Sequence, residues 1–208
     1  MNFKELQVAV WERWQDKSKT LEAMLPAIVN EAVQIAAEEA DLPSLRVLGT
    51  VTTSLTLPYK ALPTGFSGKL RFIGNTYGKI SIVALEELLS EYPLLDKLGD
   101  VHIVAVSGSL LYYQGVPTTA TVLPILYFQN PPTLTTDIGI PDCIPEFLHR
   151  EVIVTKAAAI GYDLIEDGTE GSKPNTSACL GEYAIGLNKL REYIGKRKTH
   201  MTRSVWTY

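Results

Sequence analysis

The sequence predicts an α+β fold in which N- and C-terminal helices form a bundle, with a β-rich insertion between them and an extended C-terminal tail. Three observations carry this. Apolar residues recur at steps of three and four at both ends of the chain, between residues 46 and 140 they alternate with period two, and a mostly basic segment ending in aromatic residues follows the last helix. The helices fall at 1–42 and 144–195 and the insertion at 46–140, giving one domain over 1–195 and an arm over 196–208. At 208 residues the chain is long enough for one domain with a substantial core.

Asn2 is placed to cap the first helix, with Glu5 three residues on completing a capping box. Phe3, Leu6, Val10 and Trp14 share one face of that helix, and a break is expected from Asp16 to Lys19. Proline is best tolerated in a first helical turn, so Pro26 predicts a second helix from about Leu25 to Ala40, burying Ile28, Ala32, Ile35 and Ala36. Asp41, Leu42 and Pro43 end it. From Arg46, the residues Val47, Gly49, Val51 and Thr53 alternate with Leu48, Thr50 and Thr52, which is strand chemistry. Further strands are expected at 69–73, 79–82, 101–106, 109–113 and 121–129, with Ser107 and Gly108 turning a hairpin. A short helix over 83–92 is stopped by Pro93.

Pro145 suits the first turn of the next helix, whose Ala157, Ala158, Ala159 and Gly161 let another helix approach closely and mark it as central. Gly168 is a natural stop. After a polar loop over 168–177, the last helix is expected to bury Leu180, Tyr183, Ala184, Leu187, Leu190 and Ile194 and to end at Gly195. Trp11 and Trp14 divide between core and surface or a subunit contact.

Net charge is −4, and the four cations of the tail leave −8 for residues 1–195. An acidic body repels phosphates, so nucleic acid is a disfavoured partner, whereas the basic arm suits an acidic groove. Cys143 and Cys179 lack CxxC spacing, which indicates neither a disulfide framework nor zinc and fits a reducing compartment. No signal-like run or apolar stretch of membrane-spanning length occurs.

No reaction centre assembles from the motifs. His102, His149 and His200 are widely spaced and lack metal-ligand patterns, so no metal or cofactor site is expected. Glu38 with Glu39 and Glu86 with Glu87 are adjacent pairs that suit a solvated face. The resemblance of 163–174 to a calcium loop fails, because Ile165 and Pro174 stand where ligands belong. Neither a phosphate-binding glycine loop nor a GxSxG nucleophile elbow is present. Tyr112, Tyr113, Tyr127 and Phe128 are either core and cross-strand pairs or the lining of a ligand pocket, the latter implying a small ligand-binding or enzymatic domain. Lys196, Arg197, Lys198, His200, Arg203, Trp206 and Tyr208 combine cations with aromatics; that composition fits either a binding arm or an unstructured terminus.

Several stretches, taken in order, match a known family. They are the N-terminal helices, VTTSLTLPYKALPTGF at 51–66, KISIVALEELLSEYP at 79–93, VHIVAVSGSLLYYQGVP at 101–117, ILYFQNPPTL at 125–134 and IPEFLHREVIVTKAAAIGYDLIEDG at 144–168. In that order they resemble the head-to-tail adaptor, or head completion, proteins of tailed bacteriophages, the short-tailed type in particular. The resemblance implies a non-enzymatic virion protein of the neck. It implies a ring of roughly twelve copies beneath the portal protein, extending the DNA channel and docking the tail or nozzle. Genomic DNA would pass through the lumen without specific binding, and no membrane would be involved. By the same resemblance Lys196 to Tyr208 would wedge into the portal, ordering on docking. Another tail component, a terminator or a nozzle subunit, is the alternative within the virion.

Overall fold

A computed structural model describes residues 1–14, 19–166 and 173–203, with side chains to residue 196. It has the expected mixed α and β class, with helices at both ends and strands between. The chain divides into two compact units, Met1–Ser44 with Pro131–Tyr208, and Leu45–Asn130.

In the helical unit, α1 (Phe3–Arg13) opens with the predicted capping box. The Glu5 N–H donates to the Asn2 side chain, and the Asn2 N–H to the Glu5 carboxylate, both at 2.9 Å. Phe3, Leu6, Val10 and Trp14 are all buried. Residues 15–18, most of the expected break, lie outside the described residues, and Lys19 is already helical.

The second helix, α2 (Lys19–Ala40), begins six residues before the expected Leu25 and holds Pro26 in its interior. Interior proline costs ~3 kcal/mol. The early start buries Leu21 and Leu25, each worth roughly 1.5–3 kcal/mol, which offsets it. Of the expected core positions only Ile35 is half-exposed, while Val29, Val33 and Ala37 join the buried face. Asp41 ends the helix at φ 55°, the left-handed region that asparagine and aspartate tolerate.

The returning chain enters through a 3₁₀ turn, Glu146–Leu148, and a π-helical run, Arg150–Val154, before α4 (Thr155–Glu166). Pro145 therefore precedes the first turn, with ψ 136°, instead of occupying it. The expectation of a central helix holds, since α4 packs on α1, α2 and α5. Its small residues have the predicted use. The Trp14 indole lies directly on Gly161, where any Cβ would overlap the ring, and its N–H donates to the Ala158 carbonyl at 3.3 Å. Trp11 stands edge-on to Trp14, ring centres 6.1 Å apart, and is half-buried.

The last helix, α5 (Pro174–Arg203), differs from expectation at its start, face and end. Pro174 is its first residue, the position where a missing N–H costs nothing. The buried face is Thr176, Cys179, Tyr183, Leu187 and Leu190, whereas Leu180 and Ala184 are exposed and Ile194 is half-buried. Gly186 explains the rotation: a Cβ there would collide with the Glu151 carbonyl of the π-helical run, so the backbones meet at Gly186 and turn Leu180 outward. Gly195 does not stop the helix. It is absent from the left-handed glycines, and an interior glycine costs only about 1 kcal/mol, which the following helix-forming residues tolerate. Lys196 to Arg203 is helical backbone, not an extended tail, while Gly168 lies outside the described residues.

The β unit holds two four-stranded sheets. The first has the order β1-β8-β3-β4, with β1 (Arg46–Thr52), β8 (Val122–Gln129), β3 (Phe66–Asn75) and β4 (Gly78–Lys79). The second is β2-β7-β6-β5, with β2 (Tyr59–Ala61), β7 (Leu110–Tyr113), β6 (Ile103–Ser107) and β5 (Ser81–Val83). The 79–82 strand is thus split between sheets, and the chain crosses at buried Ile80, whose N–H donates to the Ile73 carbonyl at 3.0 Å. The short helix is α3 (Leu85–Glu91), and the hairpin turns at Gly108–Ser109, one residue later than predicted, with Gly108 at φ 58°. Val51, Ile73, Val104, Leu111, Tyr113, Leu123, Ile125 and Tyr127 bring both sheets onto one core.

Gly161→Ala is expected to destabilise the protein by about 1–3 kcal/mol through overpacking against Trp14. Urea unfolding midpoints measure it, and partial recovery in a Trp14→Phe background would identify the indole as the cause.

Candidate functional site

Chemistry-bearing side chains are mostly enlisted by the fold. His149 is fully buried; its Nε2 lies 2.8 Å from the Ile144 carbonyl and its Nδ1 3.2 Å from that of Met1. Burial, foremost, pushes its pKa below the ordinary histidine value. Burial raises the Cys143 thiol to about 11 and also raises that of Cys179. At neutral pH both are thiols, the poorly nucleophilic form. His102 is exposed, and the side chain of His200 lies outside the described residues. Among the described residues no cluster of His, Cys, Asp and Glu is arranged to hold a metal.

The aromatic quartet is built into the sheets. Tyr113 and Tyr127 face the shared core, and the Tyr113 hydroxyl accepts from the Ser54 N–H at 2.9 Å. Tyr112 pairs with Tyr59, ring centres 5.6 Å apart. Phe128 points to the other face of the first sheet, with Arg46 and Arg71 stacked on it at 5.2 and 5.4 Å. Of the carboxylate pairs, Glu86 and Glu87 are exposed, and Glu39 accepts from the Tyr183 hydroxyl at 3.0 Å.

The surface features are of another kind. Lys196 is exposed at the end of the described side chains. Arg197, Lys198, His200 and Arg203 continue α5 as backbone only, and Trp206 and Tyr208 lie outside the described residues. On the outward face of the first sheet Leu48, Leu126 and Phe72 lie side by side across β1, β8 and β3. Leu48 is 81% exposed and Phe72 37%. The alternation at 46–52 places Leu48 on the side opposite Val47, Gly49 and Val51; the irregular register of β3 that exposes both Arg71 and Phe72 left no sequence signal.

Comparison with known families adds a further observation. The SU10 adaptor protein family model matches residues 1–204. The chain belongs to this family. A search of curated proteins finds no match. Membership makes the chain a phage adaptor, a structural virion component by class, as the resemblance implied. No helix among the described residues is long and apolar enough to cross a membrane.

One site in this adaptor that sequence reasoning missed is the junction of α4 and α5. The buried Glu166 carboxylate accepts four hydrogen bonds: from the Asn175 N–H (3.1 Å) and Nδ2 (2.9 Å), and from the Thr176 N–H (3.1 Å) and hydroxyl (2.7 Å). It thus caps α5, placing a negative charge where the helix dipole favours one. Burial pushes its pKa up, but the bonds from Thr176 and Asn175 prevail and hold it below the ordinary 4.5. A lowered carboxyl pKa stabilises the fold above the unfolded-state value, and that stability disappears as pH falls through the folded-state value. Glu166→Gln is therefore expected to lower Tm at pH 7, with the gap to the parent closing on acidification below 4.5. Thermal unfolding across pH measures this, and a constant gap would contradict the cap.

Proposed function

We propose that this phage adaptor is a head-to-tail joint that acts by binding alone. Copies form a closed ring beneath the portal, extend the DNA channel and offer the β unit to the tail or nozzle, while the C-terminal segment grips the portal. The observation that carries the reading is the family match over residues 1–204, which takes in both units and most of the arm.

Two physical features support it. Among the described side chains Leu190 is the last fully buried one on α5, and the helix backbone continues to Arg203. The eight residues from Lys196 to Arg203 add about 12 Å of helix bearing four cations and no acid. A segment of that charge suits a cleft with acidic walls. Second, the −8 of residues 1–195 repels nucleic acid phosphates. A lumen of that sign lets DNA slide past without adhering.

Deleting residues 196–208 is expected to leave a folded protein whose Tm is close to the parent's but which no longer attaches to portal-bearing heads. Sedimentation of heads with labelled adaptor measures attachment. Unchanged attachment would reject the arm assignment, and density away from the neck in micrographs would favour another tail component.

A further inference from the structure

The outward face of the first sheet is an unusual surface. An apolar row, Leu48, Leu126 and Phe72, runs beside a row in which Arg46 and Arg71 cover Phe128. Arginine and aromatic residues around an apolar centre are the composition of binding hot spots. The strands of this sheet hold Arg46, Lys69, Arg71 and Lys79 and no Asp or Glu. Residues 45–130 accordingly sum to +1, whereas 1–44 with 131–208 sum to −5.

The helical unit carries a surface of the complementary kind. Met24, Glu31, Gln34 and Glu38 fall at helical spacing on the exposed side of α2. Glu31 and Gln34 also border a groove of about 230 Å³ against Pro131, Pro132 and Thr133. Glu31 makes no hydrogen bond or ion pair among the described residues.

We propose that the β1-β8-β3 face of one copy seats on the α2 stripe of the next copy, with Arg71 meeting Glu31 and the Leu48–Phe72 row covering Met24. This rests on the ring reading above. The charge distribution argues for a second copy as the occupant. Two cationic sheet faces repel each other, as do two acidic helical faces, so a two-fold contact between like surfaces is disfavoured. Unlike surfaces attract, and a contact between unlike surfaces is the heterologous kind that closes into a ring.

The test counts labelled adaptor copies bound per portal-bearing head for the parent, Arg71→Glu, Glu31→Arg and the double swap, with circular dichroism confirming folding. Each single reversal is expected to reduce occupancy at least about tenfold, and the double swap to restore most of it. Leu48→Glu, at a solvent-exposed site that stacks on no cation, provides a second variant and is expected to fail as Arg71→Glu does. Full occupancy in both Arg71→Glu and Leu48→Glu overturns the face assignment while leaving the ring intact. So does loss in both single reversals without restoration in the double swap. Parent heads that carry a single copy overturn the ring reading, and this proposal with it.

Discussion

The contact on which the helical unit depends is the seating of the Trp14 indole on Gly161. It joins residues 147 positions apart in sequence, and it needs a position with no Cβ. Burying Trp14 places the end of α1 on α4, and the indole N–H is satisfied by the Ala158 carbonyl within the same contact. The Tyr162 hydroxyl then donates to the Arg13 carbonyl at 2.5 Å, satisfying a group at the C-terminus of α1 that the helix itself leaves open. One close approach therefore sets helix position and answers two polar groups. The same device recurs at Gly186, where α5 meets the Glu151 carbonyl. That carbonyl also accepts from the Thr155 hydroxyl at 2.5 Å, so the π-helical run next to the contact has its backbone tied. Lys189 adds an ion pair to the Glu151 carboxylate at 2.7 Å.

What could be read from the sequence depended on how local the deciding interaction was. Asn2 and Glu5 form a box within four residues, and it was legible. Period-two alternation identifies β1 and puts Leu48 on the side opposite Val47 and Val51; which side faces the core is decided by the sheet packing. Pro26 misled because its usual role concerns only its own turn, while Leu21 and Leu25 answer to the core. The face of α5 is not legible because Leu180 and Ala184 continue the apolar period, and only the approach at Gly186 decides which side goes in. Glu166 capping a helix that starts at Pro174 leaves no trace in spacing. The arm residues were legible as a composition, but the continuation of α5 through Gly195 was not, since a glycine there is compatible with either outcome.

The β unit makes the same point with polar groups. Buried Gln114 accepts from the N–H groups of His102 and Ile103 at 3.3 and 3.2 Å and donates to the Asp100 carbonyl at 2.6 Å. Thr53 extends the β1-β8 ladder: its N–H donates to the Thr121 carbonyl, and its hydroxyl accepts from the Thr121 N–H, both at 3.0 Å. An interior polar group without such partners costs about 1–3 kcal/mol, which explains why these side chains are spent on backbone.

That allocation bears on how an adaptor reaches specificity. His149, Gln114 and Glu166 are buried and held by neighbouring carbonyls or N–H groups, so none presents a lone pair or proton to an incoming molecule. Charge is distributed unevenly along the chain: the strands of the β unit carry no acid, the helical unit has an acidic balance, and a run of cations lies at the end of α5. Surface charges add little to stability, so their distribution is free to be set by association. A surface of mixed sign repeated on every face would let copies meet in many orientations. An uneven distribution of sign favours unlike pairings, which is what the proposed contact between copies requires.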